Sequence, residues 1–305
     1  MRFLICLVLV SFDLRFLIFM KKLLKISLGL LIVLAILLFV TYQSGTEGDL
    51  KIYFFDVGQG DGILIRTPSH QNIVIDGGPD NAFITKLGQT LPFYDKTIDL
   101  MILTHPHDDH LFGLVEVLKR YQVKQILYSG VLHSTDAYEE WLGLIKEKEI
   151  PVKIALAGQE FVFAEVKLKV IFPFEDFTNV KVDNLNNTSV VVQLIYNDIK
   201  VLFTGDLEEE GEEEILRSSI FDLQSNVIKV GHHGSNTSSS ENFLQQVLPE
   251  YAIIQVGEGN KFGHPSLRTL FKLERYSAKI FRNDLNGDIL LESDGQEILS
   301  RTTKP

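Results

Sequence analysis

The chain has 305 residues and a formal net charge of −11. Residues 46–305 carry 24 basic and 39 acidic residues, a formal net charge of −15. A surface that acidic excludes a broad electrostatic footprint for duplex DNA, although it is compatible with a nucleic acid held by metal ions and a small basic patch. Cys6 is the one cysteine of the sequence, so residues 46–305 have no internal disulfide and no thiolate zinc site.

The N-terminal segment, residues 1–45, is largely apolar, and the stretch from about 23 to 42 is long enough to cross a bilayer as a helix. Lysines precede this stretch and none follows it directly, which favours an inside N-terminus and an extracytoplasmic location for residues 46–305. No clear cleavage site or lipid-accepting cysteine follows, so an uncleaved membrane anchor is favoured over a signal peptide. Met20 before two lysines also fits a translation start, a hypothesis that an N-terminal mass measurement showing Met1 would contradict.

The body of the chain alternates strand and helix patterns, which predicts an α/β domain. The predicted strands lie at residues 51–56, 62–66, 72–76, 99–103, 125–128, 152–156, around 161–172, and at 189–196, 199–203, 226–230 and 251–256, followed by a hairpin with its turn at residues 293–296. The predicted helices lie at residues 111–121, 136–149, 207–217 and 240–248. The glutamates of the third helix are interpreted as a solvated face near a helix N-terminus, where acidic residues are favourable.

A dense cluster of metal-binding residue types follows the predicted strand 99–103. Residues 104–110 read Thr-His-Pro-His-Asp-Asp-His. Three imidazoles and two carboxylates so close together are typical of a divalent-metal site and are poor choices for a core. Because a helix pattern follows, the cluster is predicted to lie on a strand-to-helix loop, where α/β sheets usually carry their chemistry.

Other residues of the same types also follow predicted strands. Asp76 ends one strand in Asp-Gly-Gly, and Asp206 ends another in Thr-Gly-Asp. His232 and His233 follow a third strand in Gly-His-His-Gly-Ser, and His264 lies in a later glycine-rich loop. If the strands share a sheet, these loops converge at one edge. Two adjacent divalent metals would need about this many ligands, including one bridging carboxylate.

The string His105-x-His107-x-Asp109-His110 resembles the His-x-His-x-Asp-His signature of the metallo-β-lactamase superfamily. Further strings resemble, more narrowly, the hydrolase domain of ComEC-type competence proteins; they lie at residues 55–61, 76–78, 204–206, 231–235 and 263–266. The resemblance implies a four-layer αβ/βα sandwich. Residues 46–305 are therefore expected to form a hydrolase domain of this fold, and residues 1–45 an anchor or signal segment.

The resemblance also implies two divalent metal ions, with Zn²⁺ favoured and Mn²⁺ as the alternative. The ligands carried over by position are His105 and His107 for one metal, Asp109, His110 and His264 for the other, and Asp206 as the bridge. Asp76 is expected to support these ligands from behind. Asp109 and His232 are the expected catalytic residues.

Two features depart from the family pattern. Many superfamily members carry a histidine before the strand at 189–196, where this chain has Asn186-Asn187-Thr188. His233 is the preferred replacement ligand, and His232 the preferred transition-state or leaving-group partner, although these two roles could be exchanged. Asn187 is expected to be a weak oxygen donor or a substrate contact. ComEC-type transporters also carry many membrane helices, so a role as a DNA channel does not carry over to this chain.

The expected function is that of a membrane-anchored, extracytoplasmic phosphodiesterase. The resemblance favours DNA as the substrate, whereas the acidic body favours a smaller phosphodiester linked to the cell wall or to a lipid. The alternatives are a hydrolase of carboxylic esters, lactones or lactams, and a non-catalytic surface binding module on the same fold. The intact ligand set disfavours the binding module. No protein partner is evident, and the N-terminal segment is expected to contact the membrane.

Overall fold

The structure, a computed structural model, describes residues 2–45 and 48–304, and within the first range the side chains of residues 16–38. The chain divides into two compact units, Met1–Glu47 and Gly48–Pro305. The first unit is a helix, α1 (Arg2–Gly45), whose described side chains are exposed. No helix among the described residues is both long and apolar enough to cross a membrane. Met1, residues 46 and 47, and the side chains of 39–42 in the predicted span lie outside the described residues.

The second unit contains two large mixed β-sheets. Its strands in chain order are β1 (Leu50–Phe54), β2 (Gly62–Arg66), β3 (Asn72–Gly77), β4 (Thr97–Ile98), β5 (Leu100–Ile102), β6 (Gln122–Val123), β7 (Ile126–Tyr128), β8 (Val152–Ile154), β9 (Glu160–Phe163), β10 (Val166–Phe172), β11 (Val191–Tyr196), β12 (Ile199–Phe203), β13 (Val227–Lys229), β14 (Tyr251–Ile254), β15 (Lys279–Arg282), β16 (Ile289–Ser293) and β17 (Ile298–Thr302). The eight-stranded sheet has the order β17-β16-β1-β2-β3-β5-β7-β8, and the seven-stranded sheet the order β15-β14-β13-β12-β11-β10-β9. The last two strands thus return to the first sheet.

Helices cover the outer faces of the two sheets. They are α2 (Ala82–Thr90), α3 (Asp108–Arg120), α4 (Asp136–Glu147), α5 (Glu209–Ser218), α6 (Glu241–Val247), α7 (Leu267–Arg275) and the short α8 (Asn283–Asn286). One apolar core contains buried side chains of both sheets. A second joins the first sheet to α2, α3 and α4, and a third joins the second sheet to α5, α6 and α7. The order of layers is therefore helix, sheet, sheet, helix, which is an α/β sandwich.

The sequence patterns predict most of these elements, but they place the start of α3, which carries candidate ligands, three residues too late. Helix α3 begins at Asp108 rather than at residue 111, and His107 is its N-cap residue. Asp108 and Asp109 lie in the first turn, where carboxylates complement the positive end of the helix dipole, and Lys119 and Arg120 lie in the last. Two of the candidate ligands, Asp109 and His110, are consequently held by a helix rather than by a loop.

A pair of facing glycines sets the position of α3 on the first sheet. A side chain at Gly113 would overlap the backbone of Gly77, and a side chain at Gly77 would overlap the backbone of Gly113 and Leu114. This close approach brings the start of α3 against the end of β3. It explains how His110, one turn before Gly113, reaches Asp76 at the end of that strand.

Candidate metal centre

Four strand ends bring the candidate ligands together. Asp76 lies at the end of β3, and residues 105–110 follow β5, while Asp206 follows β12 and His233 follows β13. Strands β3 and β5 are parallel, as are β12 and β13, so the carboxyl ends within each pair lie at the same edge of a sheet. The two sheets therefore contribute different ligands to the same place.

Asp76 positions two of the histidines. Its Oδ2 accepts hydrogen bonds from His110 Nδ1 at 2.8 Å and from Thr104 Oγ1 at 2.7 Å, and its Oδ1 accepts one from the Thr104 amide at 2.8 Å. Because the Thr104 hydroxyl donates its proton to Asp76, it accepts from His105 Nδ1, which lies 3.1 Å away. In their neutral forms His105 and His110 therefore both carry the proton on Nδ1 and leave Nε2 unprotonated, which is the arrangement expected of a supporting carboxylate.

His105 and His107 are joined by a hydrogen bond. Because the His105 proton is on Nδ1, His107 Nδ1 donates to His105 Nε2 at 2.9 Å, and the rings are nearly perpendicular at 81°. Burial and the neighbouring His110 lower the pKa of both rings, most strongly for His105. Both imidazoles are therefore neutral at physiological pH, and the neutral form is the one that binds a metal.

His233 faces the same place from the second sheet. Its Nδ1 donates to the Gln255 carbonyl at 2.9 Å, so in the neutral ring Nε2 is the nitrogen without a proton. That Nε2 lies 3.3 Å from Asp206 Oδ2 and 3.4 Å from Asp109 Oδ2. The backbone at His233 is left-handed, with φ 52°, and this conformation turns the ring inward.

The electrostatics of the cluster favour added positive charge. Burial lowers the pKa of His110 and His233, but the surrounding carboxylates outweigh burial and raise both pKa values well above the ordinary range. Burial raises the pKa of Asp206, yet His233, His110 and Lys229 hold it well below its usual value. A buried site that binds extra protons on its histidines is one in which a cation would also be stabilised.

The residues present fit divalent metal ions. Among the described residues, the buried atoms His110 Nε2 and His233 Nε2 have no hydrogen-bond partner. Buried polar atoms are rarely left unpaired, so these two nitrogens are expected to bind a ligand. Among the described residues there are four overlapping groups of donor atoms, and within each group the atoms lie within 4.8 Å of one another; the groups are His105, His110 and Asp206; Asp109, His110 and His233; Asp61, Asp76 and His110; and Asp61, Asp206 and His233. Imidazole and carboxylate donors in such numbers suit Zn²⁺ or Mn²⁺.

A buried ion pair that the sequence patterns did not indicate lies behind the cluster. Lys229 and Asp61 are both almost fully buried and form a short ion pair. Lys229 Nζ also donates to the Gly205 carbonyl at 2.8 Å and lies 3.5 Å from Asp206 Oδ1. Burial lowers the pKa of Lys229, but Asp61 and Asp206 raise it more. Asp206 thus has Oδ1 directed at Lys229 and Oδ2 directed at the histidines.

His232 lies beside the cluster and is partly exposed. Its Nε2 is 4.0 Å from Asp206 Oδ2, and its Nδ1 is 3.1 Å from Glu208 Oε1. Glu208 also accepts hydrogen bonds from Asn184 Nδ2 at 2.7 Å and from Thr237 Oγ1 at 2.8 Å. Burial raises the pKa of Glu208, but these bonds lower it below the ordinary value. An ionised and well-held carboxylate therefore orients the His232 ring.

The other residues that the sequence predicted for the site lie farther from the cluster of ligands. The His264 ring is 5.5 Å from that of His232, centroid to centroid, and His264 is absent from the ligand groups found among the described residues. Asn187 is occupied elsewhere, because its side chain accepts from the Glu208 amide and donates to Glu210. Asn186, not Asn187, faces His232, at 3.5 Å. The His133 ring lies 6.5 Å from that of His107.

The sequence of the chain matches known families. The family model described as the metallo-beta-lactamase superfamily matches residues 55–258. The chain is 30% identical to ComE operon protein 3 of Bacillus subtilis, over 87% of this chain and 36% of that protein. It is also 30% identical to the competence protein ComA of Neisseria gonorrhoeae, over 82% of this chain and 33% of that protein. The chain thus spans about a third of the length of these curated relatives.

Solved structures share the fold at low sequence identity. The metallo-beta-lactamase fold protein YhfI from Bacillus subtilis superposes with a TM-score of 0.54 and 10% identity, over 80% of this chain and 100% of that chain. At that level of identity the likeness concerns the fold alone. It agrees with the two-sheet sandwich described above.

Proposed function

The chain belongs to the metallo-β-lactamase superfamily, whose members are usually metal-dependent hydrolases, and we propose that it is a phosphodiesterase with two divalent metal ions. The observation that carries the proposal is the convergence of unpartnered imidazole nitrogens of His110 and His233 on the carboxylates of Asp109 and Asp206. His233 replaces His264 as the late histidine in this proposal, because it lies beside Asp109 and His264 does not. The curated relatives of the ComEC type support a phosphodiester substrate.

The donor atoms divide between two ions in this proposal. His105, His107 and Asp206 would hold one, and Asp109, His110, His233 and Asp206 would hold the other. When bound, such ions lower the pKa of water and stabilise charge on a phosphoryl group. Asp76 and Thr104 keep the Nε2 atoms of His105 and His110 unprotonated for this purpose.

His232, oriented by Glu208, supplies a proton to the leaving group in this proposal. An alkoxide leaving group, such as a sugar hydroxyl, needs a proton as its bond to phosphorus breaks. His232 Nε2 is the donor, since His232 Nδ1 faces Glu208 and Nε2 faces the metal-binding carboxylate Asp206. The Glu208 carboxylate faces His232 Nδ1 at 3.1 Å and orients the ring. In this proposal Asn186 takes the place of the histidine that many superfamily members carry before the strand that is β11 here.

The favoured substrate is single-stranded DNA, and the favoured location is the outer face of a membrane. The choice of substrate rests on the competence proteins among the relatives. The choice of location rests on the apolar segment at residues 23–42 and the lysines before it. Release of the protein into the soluble fraction of lysed cells, without detergent, would contradict the anchor. A phosphodiester of the cell wall or of a lipid is the alternative substrate, which the acidic surface favours.

The proposal is tested by metal content and hydrolysis measured together. The purified protein is loaded with Zn²⁺ or Mn²⁺, its bound metal is counted by mass spectrometry, and bis-p-nitrophenyl phosphate, single-stranded DNA and a lactone are assayed in parallel. We expect about two equivalents of metal and hydrolysis of both phosphodiesters, with loss of activity after chelation and recovery when metal is returned. Hydrolysis of the lactone alone would overturn the proposal, and less than one equivalent of metal would indicate a non-catalytic binding module.

Replacing Glu208 with glutamine is expected to slow cleavage of single-stranded DNA about 100-fold, because general acid catalysis contributes roughly that much. The loss on bis-p-nitrophenyl phosphate is expected to be much smaller, since p-nitrophenolate leaves without a proton. The measurement is the ratio of the two rates in the variant and in the wild type.

The matched control is Glu210→Gln. Glu210 also lies at the start of α5, but its carboxylate binds Asn187 rather than His232. We expect this control to keep the wild-type ratio. An equal loss on both substrates in the Glu208 variant would mean that Glu208 maintains the structure and does not act through His232.

A further inference from the structure

A row of rings leads from the candidate metal centre to the surface. The His233 and His232 ring centroids are 6.1 Å apart, and those of His232 and His264 are 5.5 Å apart. The Phe262 ring follows at 6.0 Å from His264, and these last two rings are nearly parallel, at 16°. Phe262 ends the row and is 59% exposed. A large apolar ring at such a position has little reason to be there for folding, because it buries less than half of its surface.

The loop that carries Phe262 is a built structure. Asn260 Oδ1 accepts from the amides of Phe262 at 3.2 Å and His264 at 3.1 Å, while its Nδ2 donates to the carbonyls of Gly257 at 3.1 Å and His264 at 2.7 Å. One side chain thus fixes both ends of the short segment that presents the ring. The backbone that carries Phe262 and His264 is therefore held in place before any ligand arrives.

A cation accompanies the exposed ring. Lys261 Nζ lies 5.4 Å from the centre of the Phe262 ring, and both residues are exposed. The domain as a whole is strongly acidic, and this lysine supplies a local positive charge that would attract a phosphate. The same ammonium repels a cationic head group such as a quaternary amine, which would otherwise suit an aromatic surface.

We propose that Phe262, with Lys261 and His264, forms a subsite that stacks a nucleobase of a single-stranded nucleic acid whose phosphodiester lies at the metal centre. The inference rests on the proposed function and adds the chemistry of the substrate to it. A flat ring at the surface with a neighbouring cation matches a base and its phosphate, as in other surfaces for single strands. Stacking on a π-face accepts every base, so the subsite selects single-stranded nucleic acid without selecting a sequence.

The subsite also explains how an acidic protein could hold a polyanion. Most of the affinity of a basic nucleic-acid binder comes from phosphate contacts, which this surface does not offer broadly. Stacking supplies affinity that does not depend on net charge and that falls little with salt. We therefore expect the affinity for single strands to depend more on the presence of bases than on the number of phosphates.

The first test compares a substrate that carries a nucleoside with one that does not. The two substrates are the p-nitrophenyl ester of thymidine 5′-phosphate and methyl p-nitrophenyl phosphate. We expect Phe262→Ala to lower the preference for the nucleotide ester, measured as the ratio of the two kcat/KM values, about tenfold. Phe262→Trp should keep the preference or increase it, because the larger ring stacks as well or better.

Equilibrium binding provides a second measurement that does not depend on turnover. Fluorescence anisotropy of labelled oligothymidylate and of an abasic oligonucleotide of the same length is measured with the wild type and with Phe262→Ala. The wild type should prefer the oligothymidylate, and the variant should lose most of that preference. Equal binding of the two by the wild type would overturn the subsite, even if phosphodiester hydrolysis is found. Base-dependent binding without hydrolysis would instead contradict the proposed enzymatic function alone.

The control variant is Phe93→Ala. Phe93 is 86% exposed and lies just before β4, where nearby Asp95 hydrogen-bonds Asn72 at the start of β3. The start of β3 is the opposite end of that strand from Asp76. The control should keep the wild-type base preference in both measurements. A loss in Phe93→Ala as large as that in Phe262→Ala would show that the effect is not local, and would also overturn the proposal.

Discussion

Replacing Asp206 with asparagine is expected to remove at least one equivalent of bound metal and to lower kcat/KM for bis-p-nitrophenyl phosphate more than about a thousandfold. Asp206 Oδ2 lies 3.4 Å from His110 Nε2 and 3.3 Å from His233 Nε2, and Asp206 also forms a candidate ligand group with His105, so it is the carboxylate shared by the two proposed ions. An amide has the same shape but lacks the charge that a bridging ligand must supply. The measurements are metal content by mass spectrometry and initial rates at saturating metal.

The control for this variant is Asp222→Asn. Asp222 is an exposed carboxylate of the same sheet layer that pairs with Lys200 at 2.7 Å, and its replacement should leave metal content and rate unchanged. Circular dichroism of both variants checks that they are folded. Two equivalents of metal with near-normal turnover in Asp206→Asn would contradict a bridging role for this residue.

Replacing Lys229 with methionine is expected to lower the free energy of unfolding by about 3–5 kcal/mol, because it leaves the buried carboxylate of Asp61 without its partner. Both side chains of the pair are almost completely buried. Adding Asp61→Asn to the variant removes the unpaired charge, so the double variant should be more stable than Lys229→Met alone. Urea unfolding of the metal-free protein measures this, with the fluorescence of Trp141, the one tryptophan of the chain, as a buried probe.

An exposed ion pair of the same residue types gives the comparison. Lys200 pairs with Asp222 at the surface, and Lys200→Met should cost less than about 1 kcal/mol. If Lys229→Met costs no more than Lys200→Met, or if the double variant is less stable than the single one, the buried pair does not have the energetic role described here.

The sequence predicts the ligands that are close in the chain better than those that meet only in the fold. His105, His107, Asp109 and His110 stand out because their spacing is local and their residue types are rare in cores. The strand endings at Asp76 and Asp206 are also visible as short apolar runs closed by a turn. The two-sheet α/β architecture follows from the same alternation of patterns and from the family resemblance.

Other parts of the site could not be read from patterns, for physical reasons. Lys229 occupies an apolar strand, and only the fold brings it to Asp61, which is far away in the sequence. Glu208 is one of six glutamates in a short segment, and periodicity alone does not show which of them is bound by Asn184 and Thr237. His232 and His233 are adjacent and both have left-handed backbone, and only the fold shows that His233 is buried while His232 is partly exposed.

The division of the ligands between two sheets also bears on the lifetime of the folded chain. His105, His107, Asp109 and His110 come from the half of the chain that builds the first sheet, whereas Asp206 and His233 come from the second. A metal ion held by both would act as a removable crosslink between the halves, and at a free concentration about 100 times its Kd it would add about 2.7 kcal/mol to stability. Without the metal, the two halves would separate more often and become accessible to proteases. The supply of the ion would then determine how fast the protein is degraded as well as how fast it hydrolyses its substrate.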